Sequence, residues 1–147
     1  KPMNTVIVGI GNPTRGDDGL GHAVIDALPP LPVRIAKIHG EATEIMDFFE
    51  AKKVILVDAM VGGNEVMLID AISTKTPHDL SNASTHAFGL SQAVELARAL
   101  GDLPDELWII AVPATNFEHG DALSAFARNK IDSAVKLTLK TLGDFHA

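Results

Sequence analysis

Apolar positions along the chain switch between two periods, and the switching lays out an order of strands and helices. The unbroken β-branched run Val6-Ile7-Val8 predicts a first strand over 4–10, covered on both faces. Leu20, Ala23, Val24, Ala27 and Leu28 then recur at helical spacing until Pro29-Pro30 stops the helix. Alternation over 33–38 predicts a second strand, and Thr43 is expected to cap a short helix carrying Ile45, Met46, Phe48 and Phe49. A second unbroken run, Val54-Ile55-Leu56-Val57, predicts a third strand over 53–58 that ends on Asp58.

Gly62-Gly63-Asn64 follows closely, and 65–69 reads as a fourth strand. That connection is too short for a helical crossover, which predicts a hairpin and one antiparallel strand. Residues 73–84 lack periodicity and read as a loop. A helix is expected over 85–100, with Leu90, Val94, Ala97 and Leu100 among its buried positions and Gly101 closing it. A fifth strand over 106–112 leads into a second loop over 113–120. Asp121 or Ser124 then caps a last helix that turns Phe126, Ile131, Val135 and Leu142 inward. This order implies an α/β fold, a three-layer sandwich in one domain over 1–147. Its sheet would be twisted, five-stranded and mostly parallel, with one antiparallel strand and helices on both faces.

Composition narrows the chemistry. The 147-residue chain is 46% apolar, enough for a real core, and has no cysteine. Disulfides, thiolate metal sites and cysteine nucleophiles are thereby excluded. A net charge of −7 speaks against a phosphate-backbone partner. The apolar run over 107–113 is far too short to span a bilayer. No basic segment followed by an apolar one opens the sequence, so the expectation is a cytoplasmic protein that binds neither nucleic acid nor membrane.

Sites in such sheets lie beyond the carboxyl ends of the strands, which directs attention to the loops after Ile10, Ile38, Asp58 and Val112. The first loop carries the adjacent acids Asp17 and Asp18. They either cap the next helix or, as repelling neighbours, need a cation or a reacting group to offset their cost. Asp58 ends an otherwise apolar strand, where packing does not explain a charge. His86 stands at the expected start of a helix, either as a surface residue or as a neutral imidazole suited to a metal. Two carboxylates and an imidazole make a donor set for a divalent ion such as nickel or zinc, with a coordination position left open. Residue types alone do not decide among these readings.

The segments Gly9-Ile10-Gly11-Asn12, Gly16-Asp17-Asp18-Gly19-Leu20-Gly21, Leu56-Val57-Asp58-Ala59 and Thr85-His86 resemble the hydrogenase maturation endopeptidases, in order and spacing, over nearly the whole chain. The resemblance implies a protease that removes a short C-terminal extension from the precursor of a nickel–iron hydrogenase large subunit, once nickel has been inserted. It implies Asp18 and Asp58 as catalytic residues, and Asp18, Asp58 and His86 as the trio that contacts the metal. Nickel would come with the substrate, so no permanent cofactor is expected, and the free protein is expected to be a monomer. Either Asp18 or Asp17 would serve as general base.

After the second strand that family tends to carry an acidic residue, two glycines and a threonine, a segment linked to substrate selection. Here His39-Gly40-Glu41-Ala42-Thr43 keeps Gly40 and Thr43 alone. His39, Gly40, Glu41 and Thr43 are the expected substrate-binding residues. Gly9 to Pro13 is also similar to the opening of the peptidyl-tRNA hydrolases, but their following Arg-His-Asn segment is replaced by Gly16-Asp17-Asp18. A dinucleotide fingerprint would need glycine where Thr14 stands. A catalytically dead scaffold that holds nickel during maturation is a further alternative.

Overall fold

The computed structural model describes residues 4–74 and 87–143. Its centre is a five-stranded sheet in the order β2-β1-β3-β5-β4. The strands are β1 (Thr5–Ile10), β2 (Arg34–Ile38), β3 (Lys53–Val61), β4 (Met67–Asp70) and β5 (Glu106–Ala114). The first three and β5 run parallel; β4 runs antiparallel. Among the described residues no helix is long and apolar enough to cross a membrane.

The unbroken apolar runs in β1, β3 and β5 follow from burial on both faces. Val6, Val8, Ile10, Val54, Leu56, Leu107 and Ile109 point to one face, where they meet α2 (Ala42–Met46), the 3-10 turn Asp47–Glu50 and α3 (Ala87–Leu100). Ile7, Ile55, Val57, Ile110 and Val112 point to the other, against α1 (Leu20–Asp26), α4 (Ala125–Arg128) and α5 (Ile131–Leu142). The three-layer expectation therefore holds, with helices on both faces.

Several local expectations change. β4 does not form a hairpin with β3, because β5 lies between them and β4 pairs with β5 from Met67 opposite Ala111 to Asp70 opposite Trp108. β5 is apolar on both faces and gains ladder partners on both edges, while the half-exposed β4 takes the outer position. β5 also continues through Pro113, which the sequence reading put in a loop. Pro113 sits opposite Met60 of β3, beyond the point where β4 stops, so its missing N–H leaves no ladder bond unmade on the β4 side. β3 likewise runs three residues past Asp58, to Val61.

The cap of α2 falls on Glu41 rather than Thr43. Glu44 Oε1 accepts from the N–H groups of Gly40 at 3.3 Å and Glu41 at 3.4 Å. The last helical stretch divides in two: Ser124 caps α4, its hydroxyl accepting from Ala127 N–H at 3.1 Å, and α5 starts afresh at Ile131.

Candidate active site

The carboxyl ends of β1 and β3 are held close by glycine. A Cβ on Gly21 would lie 2.4 Å from the Ile10 carbonyl oxygen and 2.5 Å from that of Val57, so α1 docks against both strands at a distance that excludes any side chain there. This draws the 3-10 turn Gly16–Gly19 onto β3 and places the acidic pair at the sheet's carboxyl edge. Asp17, Asp18 and Asp58 are all fully or almost fully buried.

The three carboxylates have different surroundings. Asp17 is saturated. Its Oδ1 accepts from Ser124 N–H at 2.7 Å, and Oδ2 accepts from Thr115 N–H at 2.9 Å, Asn116 N–H at 3.0 Å and the Ser124 hydroxyl at 2.8 Å. Burial raises its pKa, but these donors together bring it below the usual carboxylate value. A carboxylate held by so many donors, with its pKa lowered, is a weak base with little pull on a proton in flight. Of the two acids proposed as general base, Asp17 is therefore a structural anchor that ties the acidic turn to the segment after β5.

Asp18 faces the other way. Its Oδ2 accepts from Asn12 N–H at 3.1 Å, and Arg15 Nη1 lies 3.9 Å from the same oxygen. Asp58 Oδ1 accepts from the adjacent Ala59 N–H at 2.8 Å, while Asp58 Oδ2 is buried with no hydrogen-bond partner. Burial, and after it the charge of Asp18, pushes the Asp58 carboxyl well above the usual value, against the lowering effect of the Ala59 N–H. The fold thus brings Asp18 and Asp58 within mutual electrostatic reach in a place poor in water. Two buried carboxylates side by side, with Asp58 Oδ2 accepting no hydrogen bond among the described residues, are a donor set that a divalent cation would fit.

His86 lies outside the described residues, and among those described no three His, Asp or Glu side chains form a metal-binding group. The helix that His86 precedes in sequence is positioned. A Cβ on Gly89 would stand 2.2 Å from the Gly40 carbonyl oxygen, so the first turn of α3 packs directly on the loop that follows β2. In that loop His39 stacks near His22 of α1, with ring centroids 6.5 Å apart, and His22 Nε2 lies 2.8 Å from the Ile38 carbonyl oxygen. Gly40 and Glu41 bond to Glu44, and Thr43 lies within α2. The four residues expected to bind substrate thus share one corner of the carboxyl edge, between α1 and the start of α3.

The hydrogenase maturation protease family matches the chain over residues 40–141. The chain belongs to this family. Its members are peptidases of hydrogenase maturation, and the match spans Asp58 and the segment after β2 but begins beyond the acidic turn. The chain is 24% identical over 156 residues to the hydrogenase expression/formation protein HupD of Thiocapsa roseopersicina, an alignment covering 95% of this chain and 68% of that protein. Its fold is similar to that of the hydrogenase maturating endopeptidase HybD from E. coli, with a TM-score of 0.78 at 22% identity over 95% of this chain and 92% of that one. A [NiFe] hydrogenase maturation protease HybD from Thermococcus kodakarensis gives 0.73 at 20% identity, over 97% and 100%. At such identities these structures speak for the fold; the family match speaks for the peptidase.

Sequence reasoning missed one residue of this site. Arg15 receives no role from the sequence alone, although an arginine two positions before an acidic pair is a signal that the pair's charge is locally balanced.

Proposed function

We propose that this peptidase removes the C-terminal extension of a nickel–iron hydrogenase large-subunit precursor after nickel insertion, and that it recognises the nickel bound in that substrate. Asp18, Asp58 and His86 would contact the ion. The observation that carries the reading is the unpartnered Asp58 Oδ2, buried beside a second carboxylate. Such a pair is costly alone and becomes favourable when a cation enters between its members. The protein keeps no metal of its own; the ion belongs to the substrate, and an empty precursor offers nothing for the carboxylates to grip.

Nickel supplies a Lewis acid beside the scissile amide. Asp18 and Asp58 supply the proton chemistry: one carboxylate of the pair takes a proton from the attacking water and returns it to the departing amine. Asp17 stays outside this exchange because the donors around it hold it as a weakly basic carboxylate tied to the segment after β5. His39, Gly40, Glu41 and Thr43 border the site at the start of α3 and select the precursor. Incubating the protein with nickel-loaded and nickel-free large-subunit precursor tests the proposal. Cleavage of the loaded form alone is expected. Equal cleavage of both would remove nickel recognition, and binding without cleavage would leave a scaffold instead of a protease.

A further inference from the structure

Arg15 holds its guanidinium beside Asp18 with its side chain only 16% exposed. Nε and Nη1 are both buried, and among the described residues neither donates a hydrogen bond. Buried guanidinium N–H groups left without an acceptor are expensive, and the 3.9 Å separation from Asp18 Oδ2 is an ion pair too long to be a hydrogen bond. The backbone around Arg15 is fixed, which makes this placement a built one. Arg15 N–H donates to the Asn12 carbonyl at 3.1 Å, the Arg15 carbonyl accepts from Asp18 N–H at 3.0 Å, and Gly16 N–H donates to the Asp121 carbonyl at 3.0 Å. The guanidinium thus stands on a fixed stretch of backbone at the edge of the acidic centre, with Nη1 beside Asp18 and given to no acceptor among the described residues.

We infer that Arg15 is a catalytic residue that donates to the carbonyl oxygen of the scissile amide. The inference rests on the peptidase reading above. As the water oxygen bonds to the carbonyl carbon, the π pair moves onto the carbonyl oxygen, and the water's proton passes to the Asp18–Asp58 pair. Nη1, the nitrogen nearest Asp18, then faces an oxyanion in place of a weakly basic carbonyl, and its hydrogen bond strengthens as the charge forms. Collapse restores the C=O bond, breaks the C–N bond and sends the carboxyl proton to the amine nitrogen. The guanidinium cannot surrender a proton at any working pH, so it stabilises charge without competing with the carboxylates for the proton.

The test compares Arg15→Gln and Arg15→Lys with the unsubstituted protein on nickel-loaded precursor, with thermal melts alongside. Arg15→Gln is expected to lower kcat by about 10²–10³-fold while KM changes by less than about threefold, because the bond matters when charge develops. Arg15→Lys keeps a cation near Asp18 and holds its fold if Arg15→Gln does not. It is expected to lose at least about tenfold in kcat, since an ammonium does not reproduce the planar fork. Either variant cleaving within threefold of the unsubstituted protein, or a loss confined to KM, overturns the inference. If the unsubstituted protein itself fails to cleave, the peptidase reading fails instead, and the two failures are told apart by that control.

Discussion

Ser124 gives Asp17 two hydrogen bonds, from its backbone N–H at 2.7 Å to Oδ1 and from its hydroxyl at 2.8 Å to Oδ2. The same hydroxyl accepts from Ala127 N–H and so caps α4. One serine therefore joins the acidic turn after the first strand to the start of the last helical pair, and the stability of both depends on the carboxylate between them.

Replacing Asp17 by Asn puts an NH2 group among donors and removes the charge that three N–H groups and the Ser124 hydroxyl share. The expected cost is about 2–4 kcal/mol, read from urea unfolding at pH 7. The pH dependence has a definite sign. The folded pKa of Asp17 lies below its unfolded value, so its contribution is complete above the unfolded pKa and is lost as pH falls through the folded one. The gap between the unsubstituted and Asp17→Asn proteins should close in the acid limb, below about pH 4. A gap that stays constant down to pH 2 would show that Asp17 acts through shape alone.

Asp58 behaves in the opposite sense. Its folded pKa is raised, so the folded state is penalised as pH climbs from the unfolded value, about 3.9, through the folded one. Asp58→Asn should therefore stabilise the metal-free protein at neutral pH by about 0.5–2 kcal/mol, the range typical of relieved functional strain, while abolishing cleavage. Melting curves at pH 4 and pH 8 check it, with the advantage of the variant absent at the lower pH and present at the higher.

Gly89→Ala adds a methyl 2.2 Å from the Gly40 carbonyl oxygen, and backbone, not a movable side chain, receives the clash. The first turn of α3 must lift off the loop after β2, at an expected cost of about 1–3 kcal/mol. Precursor cleavage should fall by more than the folded fraction does if His86, which precedes this turn in sequence, contacts the ion as proposed. Activity that simply follows the folded fraction would dissociate the turn from catalysis.

Glu44→Ala removes the oxygen that receives the N–H groups of Gly40 and Glu41. It should cost about 1 kcal/mol as a lost helix cap and raise KM for the precursor with little change in kcat. A kcat effect with KM untouched would place this loop in the chemistry and not in substrate selection.

The sheet was legible because its inner strands advertise themselves. Val6-Ile7-Val8 and Val54-Ile55-Leu56-Val57 have no polar position to offer solvent, and such runs need cover on both faces. The exchange of places between β4 and β5 was not legible, since a short glycine-rich connection reads locally as a hairpin and only the central place of β5, apolar on both faces and paired on both edges, overrides it. Pro113 misled for a related reason: the rule against proline in strands relaxes where a neighbouring strand has already stopped. At the site, Asp58 stood out as a charge in an apolar run. The division between Asp17 and Asp18 could not be read locally, because the groups that fill Asp17 come from residues 115, 116 and 124, about a hundred positions downstream. His86 falls outside the described residues, so its expected place among the ligands stands as a proposal.

The long reach of Asp17 sets an order of events during synthesis. A nascent chain exposes its acidic turn early, when the segment that clasps it has not yet been translated. Until residues 115 to 124 leave the ribosome, Asp17 lacks the donors that hold it and the acidic turn is not tied down. A chain ending before residue 115 carries both acids without the segment that organises them, so the acidic turn takes its native form only when the chain is nearly whole.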